Sequence, residues 1–426
     1  MTAPHAGAAP DAARAGEAAT PPRRGPLGRD FRLLWIGQAT GKLGSSVTGV
    51  ALPLVAVAAL DAGTLQVALL SAAAWAPWLV VGLPAGAWVD RMPRRPVMLA
   101  CDLASLLLFL SVPAAAWLDR LTVAHLMAVA LGTGCASVFF QTAYQVYLPS
   151  LLDRGELAEG NARIQATEAA AQVGGPGLAG PAVQLAGAVN ALLLDAAGCL
   201  VSAVCLLRIR TREARPARVR RGTLRQEIAE GLRFVARDPY LRVLALFSAA
   251  SNICLFGYQS ILVVFLVREV GAAPAVVGAL AAATGLGAVL GAAAVPVPAR
   301  RLGSARTLLA AEVGAAPFGL LIPLAGPGTG LLPAFAGGFT IAAGVAAGNV
   351  IKGTFRQTYT PRPLLGRVTV SMQLVGYGTI PLGALAGGAL GTALGVRPAM
   401  WITTGALALT GPILLAGPFR RDRDLP

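Results

Sequence analysis

The chain has 426 residues, of which 55% are hydrophobic and 13% charged, with a formal net charge of +15. Soluble domains carry about 45–50% apolar and about 25% charged residues, so one or two soluble cores could not hide this much apolar surface. A soluble enzyme, a disulfide-built secreted domain and a disordered chain are excluded together, which leaves an all-α polytopic membrane protein.

Residues 1–30 are rich in Ala, Pro, Gly and Arg. They lack the apolar stretch of about 7–15 residues that a signal peptide needs, and they predict a disordered cytoplasmic tail. Apolar runs follow at about 32–60, 65–89, 96–118, 122–147, 164–186 and 188–207. At about 20 residues per crossing, each supplies one membrane helix. A polar, arginine-rich stretch covers 208–239. Six more runs lie at about 240–267, 274–298, 305–325, 329–351, 365–390 and 396–418, ahead of a short tail at 419–426. The expected organisation is twelve spans, as six-helix bundles at 31–207 and 240–418 joined by a basic linker.

Positive charge follows this layout. With the N-terminus inside, only Arg120, Arg268 and Arg397 of the 35 Lys and Arg fall outside, and Lys42 alone lies within a span. Such asymmetry is the positive-inside pattern; it puts both termini in the cytoplasm and explains the net charge without nucleic acid. In the linker, Leu224, Ile228, Leu232 and Val235 recur at helical spacing beside Arg225, Glu227, Glu230, Arg233 and Arg237. That pattern predicts an amphipathic helix on the inner leaflet, where 208–239 would meet anionic lipid. A partner-docking helix is the alternative. The cysteines Cys101, Cys135, Cys199, Cys205 and Cys254 sit in apolar runs without metal-ligand spacing, as small buried hydrophobes.

The halves echo each other. Gln145-x-Tyr147-x-Pro149 recurs as Gln357-x-Tyr359-x-Pro361, and Phe31-Arg32-Leu33-Leu34 is matched by Leu241-Arg242-Val243-Leu244, at offsets of 212 and 210. Between the second and third runs stands Gly86-Ala87-Trp88-Val89-Asp90-Arg91-Met92-Pro93-Arg94-Arg95. This string resembles the G-x-x-x-D-R-x-x-R-R signature of the major facilitator superfamily. The resemblance implies two pseudo-symmetric six-helix halves around a central cavity, with Gly86, Asp90, Arg91, Arg94 and Arg95 as a gating motif and Asp90 latching the eleventh helix. The matching loop of the second half keeps Gly287, Gly291, Arg300 and Arg301 but has no acid at the place of Asp90. In the fifth run, Gly175, Pro176 and Gly180 resemble the antiporter motif of drug–proton exchangers, with Ala179 where the family has glycine. Phe31-Arg32-x-Leu34-Trp35-x-Gly37-Gln38 and Glu227-Ile228-x-Glu230-Gly231-Leu232-Arg233-Phe234 resemble the enterobactin-exporter-like and macrolide-efflux-like branch. That branch implies export of small organic molecules by proton antiport across the cytoplasmic membrane.

Polar residues inside spans mark the candidate site, because charge in the bilayer is costly. Gln38, Lys42 and Ser45 share one face of the first helix. Asn252 and Gln259 lie on the matching face of the seventh, and Gln141, Tyr144 and Gln145 with Ser137 on the fourth; Thr340 and Asn349 are candidates from the tenth. Lys42 suggests an anionic or carbonyl-rich ligand. Asp102, Glu312 and Asp195 are the proton-coupling candidates, with Glu168 shallower; Asp102 ranks first because it could meet Lys42. No phosphate loop, dinucleotide site, metal cluster or nucleophile–base pair is present in the sequence, so neither cofactor, metal nor enzymatic activity is expected. The expected protein is a monomeric exporter of a small molecule with protons as coupling ion. Its rivals are an importer of the same fold and a receptor or scaffold docking through the linker.

Overall fold

The structure is a computed structural model and describes residues 28–89, 92–152, 156–211, 224–420 and 423–425. The expected tail falls outside these residues up to position 27, as do Asp90 and Arg91 of the gating motif and most of the arginine run in the linker.

Helices fill all twelve expected runs. The first half comprises α1 (Arg29–Leu54), α2 (Thr64–Val80), α3 (Gly82–Val89), α4 (Arg94–Trp117), α5 (Val123–Tyr147), α6 (Leu157–Ala186), α7 (Ala188–Ala191) and α8 (Leu193–Arg208). The linker contains α9 (Leu224–Arg237). In the second half follow α10 (Pro239–Val264), α11 (Pro274–Ala294), α12 (Pro296–Leu302), α13 (Ser304–Ala315), α14 (Leu332–Tyr359), α15 (Arg362–Leu394), α16 (Val396–Ala408) and α17 (Gly411–Leu415). Among the described residues, ten helical stretches are long and apolar enough to cross a membrane. The second pass, α2, has 17 residues and is continued by α3; the fifth, α6, has 30 residues and carries Glu159, Arg163 and Glu168 in its first half. Large apolar side chains such as Leu107, Leu185, Leu332 and Trp117 stand on the outer surface, as they must when the solvent is hydrocarbon.

Packing repeats between the halves. Helix α1 lies against α6 and α8, α2 against α5, and α4 against α5; α10 lies against α15 and α16, α11 against α14, and α13 against α14. The halves meet through α2 with α15 and through its image, α6 with α11. The repeat extends to backbone detail. A π-helical turn at Val55–Ala59 is matched 210 residues on by Phe265–Glu269, and positive φ at Asp61 by positive φ at Gly271. The first and seventh passes therefore end in the same bend.

Small residues allow these contacts, since helices in lipid associate by close packing rather than by hydrophobic exclusion. A Cβ on Gly198 would meet the Thr40 carbonyl oxygen at 2.7 Å, and one on Gly44 would meet Asp195 Oδ1 at 2.6 Å, so α1 and α8 touch backbone to backbone.

Two features, one in the linker and one at the C-terminal end, differ from expectation. Helix α9 forms, but it docks on the protein: Val235 is buried, Gly231 rests against the Arg367 carbonyl, and Glu230 pairs with Arg367 of α15. Its apolar stripe thus serves protein packing as well as any lipid. The expected tail at 419–426 also packs, with Phe419 fully buried, Asp424 Oδ1 accepting from Ser304 N at 2.9 Å and Leu425 N donating to Ser304 Oγ at 2.8 Å. The start of α13 leaves free amide groups that a carboxylate satisfies.

Candidate substrate cavity

Crossing to and fro, the chain brings the starts of α1, α4, α10 and α13 and the end of α8 to one face, here called the arginine-rich face after Arg94, Arg95, Arg300, Arg301 and Arg306. There Arg95 donates from Nε to Leu206 O at 2.7 Å and from Nη2 to Leu207 O at 2.8 Å, tying the start of α4 to the last carbonyls of α8. Asp30 accepts from Arg210 N, Thr211 N and Thr211 Oγ1 beside it. Of the gating motif, Arg94 and Arg95 are described, whereas Asp90, Arg91 and the surroundings of Gly86 lie outside the described residues.

A cavity of about 620 Å³ runs between α1, α2, α4, α5, α8 and α10. Gln38, Lys42, Ser45, Gln141 and Gln259 line it as the polar faces predict. So do Asp102 and Asp195, both buried. Asp195 accepts from Thr48 Oγ1 at 2.6 Å. Asp102 faces Ser202, and its Oδ2 has no hydrogen-bond partner among the described residues. Helices α4 and α8 thus belong to the wall.

Lys42 is not joined to Asp102. Its Nζ lies 2.6 Å from Glu168 Oε1, with both side chains about one-third exposed (31% and 32%). A paired lysine contributes little net positive charge, so the expectation of an anionic ligand loses its basis. The pair stands between the cavity and a vestibule of about 280 Å³ formed by α1, α5 and α6, which Tyr144 and Gln145 line with Gln38, Lys42 and Gln141. The vestibule gives onto the arginine-rich face, where Gln145, Asn161 and Gln165 are exposed.

Glu312 stands 210 residues after Asp102 yet has another setting. It is buried and pairs with Lys352 of α14 at 2.6 Å, and that ammonium sits 5.4 Å from the centre of the Phe247 ring. Lys352, expected in a loop, is inside the helix because α14 runs on to Tyr359. A glycine at 348 leaves room for the Glu312 carboxylate. Asn252 turns away from the cavity and donates to Gly376 O of α15 at 3.0 Å. Thr340 and Asn349 line neither cavity nor vestibule.

On the opposite face the halves close. Asp61 and Arg268 pair across them at 2.6 Å. Built Cβ atoms on Gly391 and Gly180 would meet Thr64 Cγ2 at 2.8 Å and Ala275 Cα at 2.8 Å. Gly175 instead faces Ser46 of α1, and the Pro176 carbonyl approaches Gly278, so the antiporter-like motif forms the crossing of α6 with α1 and α11. At mid-depth Tyr377 packs on Trp78 and Trp75 at centroid distances of 5.4 and 5.9 Å, and Trp75 meets Phe256 at 5.7 Å. Sequence reasoning missed this aromatic cluster, since aromatics in apolar runs carry no label. It also missed Asn161 and Gln165, although with Glu168 they fall at i, i+4 and i+7 on one face of α6. Among the described residues no group of three or more His, Cys, Asp or Glu is placed to hold a metal ion.

The transmembrane secretion effector family matches residues 24–423. The chain belongs to that family. It is a transporter of the major facilitator type, not an enzyme, and a multi-pass membrane protein. It is 28% identical over 420 residues to the multidrug efflux pump Tap of Mycolicibacterium fortuitum, covering 95% of this chain and 98% of Tap. A point mutant of the nucleoside transporter NupG superposes with a TM-score of 0.76 at 12% identity, over 91% of this chain and 99% of that one. A bacterial homologue of the iron transporter ferroportin in an inward-facing state gives 0.71 at 16% identity, over 91% and 98%. At such identities the two structural likenesses concern the fold alone.

Proposed function

We propose that this secretion-effector transporter exports a small organic molecule across the cytoplasmic membrane in exchange for protons, as a monomer with both termini in the cytoplasm. The observation that carries the reading is a cavity walled by two buried carboxyl groups, Asp102 and Asp195, that communicates with the arginine-rich face and is closed on the other. Positive-inside bias makes the arginine-rich face cytoplasmic, so the conformation is one that loads from inside. Likeness to an efflux pump over nearly the whole chain favours outward delivery.

Asp102 is the group we assign to carry the proton. It lines the cavity with one oxygen unpartnered among the described residues, whereas its repeat equivalent Glu312 is held by Lys352. A carboxyl group that lines the cavity without a full set of partners can take a proton from one side, and the proton can leave once the cavity opens to the other face. On the outside of the bundle, Arg233 and Arg237 of α9 are exposed beside the arginine-rich face and suit anionic lipid headgroups.

Everted membrane vesicles test the reading with a panel of dyes, antibiotics and siderophores. We expect a proton gradient to drive accumulation of at least one compound, a protonophore to abolish it, and Asp102→Asn to lower the gradient-driven rate at least tenfold while gradient-free exchange persists. Accumulation by intact cells rather than by everted vesicles would establish import instead.

A further inference from the structure

The vestibule differs chemically from the cavity it adjoins. Its walls carry five carboxamides: Gln38 from α1, Gln141 and Gln145 from α5, and Asn161 and Gln165 from α6. The two pairs on α5 and α6 are each four residues apart, so each pair presents its amides one turn above the other on the same helix face. Each carboxamide offers two donors and one acceptor oxygen, so the chamber is dense in neutral hydrogen-bonding groups.

Two of its polar atoms are buried and unused. Gln38 is 8% exposed and Tyr144 7% exposed, and neither Gln38 Nε2 nor the Tyr144 hydroxyl has a hydrogen-bond partner among the described residues. Buried polar atoms are normally satisfied; here both residues line the chamber, where a ligand can satisfy them. An aromatic face is present as well. Trp35 lines the vestibule and is held in place by its indole N–H, which donates to Thr167 Oγ1 at 2.8 Å.

Net charge is absent, because Lys42 and Glu168 neutralise each other in the wall. A chamber of this kind does not select an ionic headgroup. It suits a compact neutral body with many hydroxyls around its edge and an apolar ring face, which is the chemistry of a sugar. Gln38, Lys42 and Gln141 line both chambers, so one ligand can occupy both. The adjoining 620 Å³ cavity contributes Trp75, Trp78, Phe109 and Phe256, surfaces for an apolar body.

We propose that the vestibule binds the glycosyl part of an apolar glycoside whose aglycone lies in the main cavity. The inference rests on the transport reading above and narrows its substrate to glycosylated hydrophobic molecules. Hydrogen-bonding sites reject analogues that lack the matching group, because their own polar atoms are then left unpaired, so the sugar is what such a site discriminates.

The test uses the full chain in lipid nanodiscs with radiolabelled naphthyl glucoside and naphthol. We expect the glucoside to bind at least tenfold more tightly than naphthol. Gln145→Leu combined with Gln165→Leu should erase that preference and leave naphthol binding unchanged, whereas Gln145→Asn should keep most of it. Equal affinity for glucoside and naphthol, or equal weakening of both by the leucine pair, overturns the inference and leaves the transport reading standing. Phe256→Ala serves as the internal reference and should weaken both ligands alike by lining the shared apolar chamber. Failure to bind either compound overturns the inference; absence of gradient-driven flux from everted vesicles overturns the transport reading separately.

Discussion

At the scale of single residues, the two lysine–carboxylate pairs illustrate how setting decides consequence. Lys352–Glu312 is deep, with side chains 16% and 3% exposed, whereas Lys42–Glu168 is about one-third exposed. Breaking a buried pair by removing one partner costs about 3–5 kcal/mol, because a charge is left without compensation; partly solvated pairs cost less. Gly348→Ala would push a methyl group into the Glu312 carboxylate. We expect it to lower unfolding stability in detergent by about 1–3 kcal/mol, the usual cost of overpacking; a loss below about 0.5 kcal/mol would mean that the Glu312 side chain swings aside to accommodate it. For the outer pair the informative experiment is a cycle. Glu168→Gln alone should impair flux more than Glu168→Gln with Lys42→Gln, since only the single change strands the ammonium. The sequence made Lys42 conspicuous but could not name its partner. Asp102 and Glu168 lie on different helices, and the choice between them depends on how α4 and α6 are rotated against α1.

Whole helices show a division of labour among small residues. On α6, Gly175 faces α1 and Gly180 faces α11, so one helix packs within its own half and across to the other. A side chain at either place meets backbone, which cannot rotate aside. Gly180→Leu should therefore wedge α6 from α11 and hold the far face ajar. We expect flux below a tenth of normal, with reagent labelling of a cysteine placed at Ala275 raised several-fold; unchanged labelling would show that the crossing does not seal that face. The glycine–proline string was legible in sequence as a closely packed helix, but which neighbours it met was not. Periodicity gives the face of a helix and says nothing of the partner opposite. Helix α9 teaches the same lesson. Its amphipathic pattern was plain, yet Gly231 and Glu230 apply it to α15 rather than leaving it free on a lipid surface.

For the molecule as a whole, transport requires the closed face to open. Thr64 and Gly391 sit at that seal, and a Cβ built on Gly391 lies 3.8 Å from Thr64 Cβ. That separation suits a disulfide. With the five native cysteines replaced by alanine, the pair Thr64→Cys and Gly391→Cys should form a cross-link under oxidant that abolishes flux, and a reductant should restore it. Full flux through the oxidised protein would exclude a cycle in which α2 and α15 separate on that face. The cavity also breaks the symmetry of the fold. Its lining comes from the first half and α10, while α14 contributes nothing to it, although α14 is the packing image of α5. Near-equivalent backbones have thus acquired unequal roles, with Asp102 in the wall and Glu312 bound to Lys352.

Amino-acid sequence alone determined that the chain lives in a membrane, crosses it in twelve helical runs, biases its arginines toward one side and consists of two related halves. Those properties follow from local quantities: apolar length against bilayer thickness, charge counted loop by loop, and motifs repeated at a constant offset. Tertiary structure decided the rest. It joined Lys42 to Glu168, brought Asp102 and Asp195 to one wall, withdrew Asn252 to the Gly376 carbonyl and gathered Trp75, Trp78, Tyr377 and Phe256 into one aromatic cluster. Each of these depends on the rotation and crossing of helices distant in sequence, which close packing at glycine contacts sets and helical periodicity does not encode.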